Sequence, residues 1–489
     1  MRSKHKYYLV MLLVFVQYAC GDYFEILPPN GLIREEFWNT KEDVTSVLMA
    51  SYELFASMDR ELFLQGELRA DLLDGKGNQP WGERNIMENN IYSTNGFCNW
   101  EDYYVIINNC NEVIKNAPLV QKIDNTFNDF RMKSIVAEAY FLRSLSYFYL
   151  VRIYRDVPLI LEPSESDNAN FFPSKSSEDV VLSQIVADLN ENRPFAPSGG
   201  FPTIAENKGR ASKAAYDALL ADIALWRYKY EEVLTHIKKI EDSEEYVLMP
   251  TAKWFEIFYP GNSLESIFEF QFDGNLNQYN SLYGLTQRFS NQYGPSQRSI
   301  QMFAKQLSVE LVRGEDATID KIGEEDYIIW KYIGQAPDGQ TQRSGAEAAS
   351  ANWIVYRLAD ILLMKAEALS QLGRFGEALP IINEIRERAN VGPVNPANTK
   401  VAFEDVILEE RALELAFEGK RWFDVLRMGR RDDFARKDKL IEIIVSNVPA
   451  TQKRILATKL TNPLGWYLPI YDEEIERNLN LIQNPYYDF

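Results

Sequence analysis

LLMKAEALSQLGRFGEALPIINEIRERA, residues 362–389, decides the fold, because its small, turn and large positions are those of a tetratricopeptide-type helix pair. Ala366 and Ala378 are small enough to let paired helices approach closely, Gly373 takes the turn, and Phe375 and Ile382 are the large residues. Ala221, Tyr230 and Val233 repeat that spacing around an earlier turn. Such units build a stacked scaffold and carry no chemistry of their own.

Outward from this pair, apolar residues recur at helical spacing near Glu42–Met58, Trp100–Asn116, Asn128–Tyr154, Ser177–Asn192, Ala211–Trp226 and Tyr230–Ile240. Thr40 precedes Asp43 by three residues, and Ser176 precedes Asp179 at the same spacing. Each pair predicts a hydroxyl and a carboxylate on the free amides of a first helical turn. Between Tyr246 and Trp353 the texture changes to short β-like runs, Ser266–Phe272 and Tyr327–Ile333, separated by Gly, Asn, Gln and Ser. The predicted class is mostly α, with helix pairs as scaffold and a loop-rich insertion holding short strands. The divisions are a leader over 1–19, a helical region over 20–245, the insertion over 246–352 and a C-terminal helical region over 353–489. The stretch from Asp71 to Asn99 also reads as a loop, and loops on a rigid frame are where ligand contacts usually lie.

With 489 residues, 46% of them hydrophobic, the chain can bury a large core. A net charge of −19 repels phosphate backbones and anionic lipid surfaces, so nucleic acid is not an expected partner. His236 is the sole histidine beyond the leader, and only three cysteines occur. That supply gives little support to a metal centre or a histidine-based nucleophilic triad, and no cofactor is expected. Gly75, Gly77 and Gly82 do not match a dinucleotide fingerprint. Cys98 and Cys110, on or beside one helix, would stand about 18 Å apart at 1.5 Å per residue, which forbids a disulfide between them. A carboxylate-pair glycosidase stays open at this point. With 71 acidic residues, some pair will fall at the required separation of about 5–9.5 Å.

The N-terminus carries Arg2, Lys4 and Lys6 ahead of an apolar run from Tyr7 to Ala19, and then Cys20. The run is too short for a spanning helix, which needs about 20 residues, and suits an export signal, which needs about 7–15. A cysteine at that junction points to acylation of Cys20 after cleavage and attachment by lipid. An ordinary signal with an incidental cysteine is the alternative.

The 9 Trp, 27 Tyr and 27 Phe are the positive signal. Trp38, Phe141, Tyr147, Trp226, Phe417, Trp422 and Phe423 lie in helical patterns and are expected in the core. Trp81 sits instead among Gly, Asn, Gln and Pro, and Tyr279, Tyr283 and Tyr293 are interleaved with Asn and Gln. Aromatic faces flanked by amides suit a sugar, whose C–H faces pack on rings while its hydroxyls take amide hydrogen bonds. The candidate ligand residues are therefore Asn78, Trp81, Arg84, Tyr279, Tyr283 and Tyr293, with packing inside the loops as the competing role.

The C-terminal motifs are specific. Residues 408–427, LEERALELAFEGKRWFDVLR, and the ending WYLPIYDEEIERNLNLIQNPYYDF resemble the signature and closing motif of the SusD/RagB family of nutrient-binding outer-membrane lipoproteins. The likeness extends to Phe24–Pro29, Trp38, Glu138–Pro158, Gly209–Ala221, Arg357–Ala368, and Asn383, Arg386 and Arg388. Arg155, Tyr471 and Tyr486 depart from a usual glycine, proline and glycine. Arg357, Asp360, Glu418, Arg421 and Asp424 are expected to pair internally rather than to touch ligand. The resemblance implies a non-catalytic cell-surface lipoprotein. It would capture extracellular glycan and pass it to a TonB-dependent, SusC-like outer-membrane transporter. A peptide-capturing RagB-like subunit is the second reading, and an enzyme or a pure scaffold the third.

Overall fold

The computed structural model describes residues 37–164, 170–306, 313–324 and 326–488. The leader and Cys20 lie outside the described residues.

Helices dominate, as the periodicity predicts. Lys41–Ser57 opens with a full capping box. Thr40 Oγ1 accepts from Asp43 N at 3.3 Å, and Asp43 Oδ2 accepts from Thr40 N at 2.7 Å. The second predicted cap does not form. Ser176 instead pairs with Val157 in a two-residue ribbon, the helix Glu178–Asn192 begins two residues later, and its first amide is held by Asp156 Oδ1 at 3.0 Å. A strand partner and a distant carboxylate thus override the local hydroxyl.

The helices stack in chain order. Lys41–Ser57 packs on Glu101–Val120, then come Asp129–Tyr154, Glu178–Asn192, Lys213–Trp226 and Tyr230–Glu241, each against the last. Tyr230–Glu241 lies directly against Leu358–Gln371, whose turn partner is Phe375–Arg388. The two repeat pairs recognised in the sequence are therefore neighbours in one scaffold, although the insertion separates them in the chain. Asp129–Tyr154 runs through the interior with nearly its whole second half buried, and its buried charged side chains find partners. Glu138 accepts from the Tyr52 hydroxyl at 2.7 Å and from Arg210 Nε at 2.5 Å, and Arg143 donates to Asp188 Oδ2 at 2.7 Å.

The insertion starts and closes on one ribbon. Ser266–Phe270 pairs antiparallel with Trp353–Arg357, and every residue of both strands is buried. Arg357, at the end of that ribbon, reaches Glu265 at 2.6 Å, Glu414 at 2.7 Å and Glu418 at 2.8 Å. Asp360 meets Arg411 at 2.8 Å and Lys420 at 3.0 Å, Arg421 meets Asp71 at 2.7 Å, and Asp424 meets Arg411 and Arg427. The expected internal ion pairs thus bind the C-terminal motif to the ribbon and to the N-terminal half. Cys98 and Cys110 are buried free thiols.

Candidate functional site

A second short ribbon brings the two polar stretches together. Leu73–Gly75 pairs antiparallel with Tyr293–Pro295, joining the Asp71–Asn99 stretch to the insertion. Helix Asp59–Glu67 lies between them. Asp59, buried at its first position, accepts from Ser281 N at 2.6 Å and Ser281 Oγ at 2.8 Å, while Arg60 donates to Glu83 at 2.5 Å and to Gln292 Oε1 at 3.1 Å.

Trp81 is not in a loop. It is the first residue of a helix of about two turns, Trp81–Met87, with Pro80 as N-cap. Proline fits that position because the entering chain needs no amide there. The indole is 67% exposed and stands on the wall of a cleft of about 540 Å³. Glu61, Gln65, Asn95, Asn99 and Asp102 bring acceptors and amides to the same cleft. Burial pushes the Glu61 carboxyl up, and Asp59 and Asp102 add to this. Tyr103 Oη donates to Gln65 Oε1 at 2.6 Å, and Asn95 Nδ2 donates to Gly82 O at 2.9 Å, so the lining is held in place by its own bonds. A Cβ on Gly82 would stand 2.6 Å from Asn95 Oδ1 and push that amide aside. An exposed ring above fixed amides and carboxylates can stack on a sugar face and bond its hydroxyls.

The tyrosines separate. Tyr279 is 55% exposed, with its hydroxyl 3.2 Å from Asn277 Oδ1. Tyr283 is half-buried on the short helix Leu282–Thr286, and its hydroxyl accepts from Gln342 Nε2 at 2.8 Å. Both belong to the segment that Asp59 ties to the helix flooring the Trp81 cleft. Tyr293 is a correction: it is fully buried, its hydroxyl donates to Glu83, and it packs where its strand meets Gly75. Its amide-rich neighbourhood reads as a loop, yet the ribbon turns its ring inward, and it is no ligand residue.

Arg84 and Asn78 do not join Trp81 either. Asn78 is exposed and lines neither cleft. Arg84 lines a different cleft of about 730 Å³, between the Trp81–Met87 helix and the helices Lys437–Ser446 and Ala450–Lys459. Sequence reading missed Glu61, Asn95, Asn99 and Asp102, and also Phe289, which is 92% exposed in the insertion. Asn95 and Asn99 lie in the run TNGFCN, whose amides around an aromatic were the available signal. Among the described residues, no three His, Cys, Asp or Glu side chains converge as a metal site would need.

A model of the SusD family matches residues 246–487. A second, described as starch-binding associating with outer membrane, matches residues 22–225. The chain belongs to the SusD family. SusD-like protein P38 of Formosa agariphila is 26% identical over 524 residues, with 96% of this chain and 98% of that protein covered. A SusD superfamily protein from Bacteroides vulgatus superposes with a TM-score of 0.77 at 20% identity, covering 92% of this chain and all of that one. A laminarin-binding SusD-like protein gives 0.72 at 21% identity, with the same coverage. These SusD structures share the mostly helical fold read from the repeat pairs, and the family is the one that the C-terminal motifs resemble.

Proposed function

We propose that this SusD-family chain is a non-catalytic surface lipoprotein that binds extracellular glycan at the Trp81 cleft. The glycan then passes to a TonB-dependent outer-membrane transporter. The observation that carries the reading is the exposed Trp81 indole over a cleft of bonded amides and carboxylates, with Tyr279 and Tyr283 tied to the same helix. The laminarin-binding neighbour and the starch-binding, outer-membrane description of the matched model support a glycan and that membrane. Acylation of Cys20 supplies the attachment. No helix among the described residues is long and apolar enough to cross a bilayer. A peptide ligand finds less support. Among the described residues the longest strands, Ser266–Phe270 and Trp353–Arg357, are buried and give no long open edge to extend.

Titration calorimetry against an oligosaccharide panel tests the site. Trp81→Ala should weaken binding by about 5- to 150-fold, matching the loss of a stacking contact of about 1–3 kcal/mol. Its melting temperature should hold, because the indole contributes little to the core. Unchanged affinity, or weakening only alongside a collapsed melt, would return Trp81 to structure. For delivery, detergent pull-down of the tagged full chain should recover a large outer-membrane barrel in near-equal amount, and recovery of the chain alone would sink that half of the reading.

A further inference from the structure

The 730 Å³ cleft that shares the Trp81–Met87 helix as a wall holds three cations, and among the described residues none of them has a carboxylate partner. Arg69 is the deepest, at 4% exposure. Its guanidinium donates to Trp466 O at 2.6 Å, Gly465 O at 2.7 Å and Asn89 Oδ1 at 3.0 Å, and it stacks 4.4 Å from the Trp422 ring. Lys459, half-buried, donates to Asn89 O at 3.0 Å and to Asn90 Oδ1. Arg84, exposed, donates to Gly77 O at 3.0 Å. Arg69 and Lys459 therefore grip the same asparagine, one by its side chain and one by its carbonyl. Asn89 presents both groups from a left-handed turn, φ 51°.

Most buried arginines elsewhere in the fold are matched, although Arg343 too is held only by carbonyls, those of Gly334 and Phe258. Arg143, Arg313, Arg357, Arg388, Arg411 and Arg421 each meet a carboxylate. Two cations sharing one neutral residue repel each other, and a buried guanidinium without a counter-charge is costly. Arg69 also borders an interior void of about 10 Å³, room for a single water, which can solvate it but not neutralise it. Asp74 and Glu88 line the cleft as well, both exposed; neither reaches ion-pair distance of these three cations, although Glu88 is near enough to Lys459 to favour its charged form. Gln79, Asn90, Asn447 and Gln452 add amides to the lining.

We infer that this cleft is a second subsite of the same surface, taking the anionic group of an acidic sugar, a uronate carboxylate or a sulfate ester. Arg69 gives fixed positive charge at the floor. Arg84 and Lys459, nearer solvent, give the charge-assisted donors, and the surrounding amides take the hydroxyls. The net charge of −19 does not oppose this at contact range, since exposed charges are screened beyond about 8 Å at physiological ionic strength. Side-chain amides around the cations favour a sugar over an acidic peptide, which needs backbone partners along an extended edge.

The inference rests on the glycan reading, and the test separates the two. Full-length protein and the Arg84→Gln/Lys459→Gln variant are titrated with uronate oligosaccharides, sulfated oligosaccharides, neutral oligosaccharides of equal length and a glutamate-rich peptide. Arg69 is left in place because its loss would disturb the core. The wild-type protein should prefer one of the anionic sugar series over its neutral counterpart by about tenfold at physiological salt, where distant charges are screened and a charge-assisted contact is not. That ratio should fall toward unity in the variant, with an unchanged melt, and survive in Trp81→Ala. Equal affinity for anionic and neutral sugars, or a preference that persists in the double variant, overturns the anion subsite and leaves the Trp81 cleft standing. Binding of the acidic peptide in place of every sugar overturns both.

Discussion

Arg155 holds φ 71° and ψ −76°, in the left-handed half of backbone space that an L side chain rarely adopts. It follows directly on the long helix Asp129–Tyr154, and Asp156 N closes a tight turn on Tyr154 O at 3.1 Å. This is the position where the chain departs from the family's usual glycine, so the strain is carried by a residue that could be spared it. Its side chain is exposed and stands 3.9 Å from Asp156, a contact worth little in water. Arg155→Gly should therefore raise stability by about 1 kcal/mol, as relief of strain outweighs the extra chain entropy of glycine. Denaturant titration reads it directly, and a lower midpoint at unchanged slope would show that the arginine sits there without strain. The same scale shows why the exposure of Trp81 was legible and the burial of Tyr293 was not. Both stand among amides and glycines, but Gly75 pairs with Tyr293 across a ribbon formed by residues more than two hundred positions apart, and no local spacing records that pairing.

Elements with their own periodicity were legible, and elements defined by a distant partner were not. The long helices and the two repeat pairs follow from apolar spacing, small residues and a turn glycine, all local. Thr40 caps its helix because nothing competes for it, whereas Ser176 is drawn into a ribbon with Val157 and leaves the capping to Asp156. Trp81–Met87 has too few residues for a periodic face and carries Gly82 and Asn85 in its middle, so it read as a loop. The candidate site has the same history. The exposure of Trp81 was visible from its lack of apolar partners, but Glu61 comes from a stretch apart from Asn95 and Asp102. The bonds of Asp59 to Ser281 and of Arg60 to Glu83 and Gln292, together with the Leu73–Gly75 ribbon, bring those stretches together with the insertion. Arg84, three residues from Trp81, lines a different cleft.

Across the whole molecule, buried charge locks the two halves together, and one carboxyl in that lock is unmatched. Helix Asp59–Glu67 meets the C-terminal motif so closely that a Cβ on Gly66 would stand 1.9 Å from Gly419 O. Glu67, fully buried at the same junction, accepts from Gly419 N at 2.9 Å and Lys420 N at 3.3 Å through Oε1, while Oε2 has no partner. Burial outweighs those two amides and pushes the carboxyl up to about 8. Its folded form thus keeps a proton that the unfolded chain, titrating near 4.5, has lost. The stability tied to that proton is full below the unfolded value and drains away as pH rises through the folded one. Asp71, Glu414 and Glu418 work in the opposite sense. Burial pushes them up too, but their arginine and lysine partners more than offset it and hold them low, so their contribution is lost only on acidification. Glu67→Gln keeps an acceptor for the two amides and cannot ionise. Its melting temperature should match the wild type at about pH 5 and exceed it increasingly toward about pH 9, with the acid limb unchanged. Melts across that range decide the matter: parallel curves for variant and wild type would mean that Glu67 carries the same charge folded and unfolded, and that its junction is wetter than its burial implies.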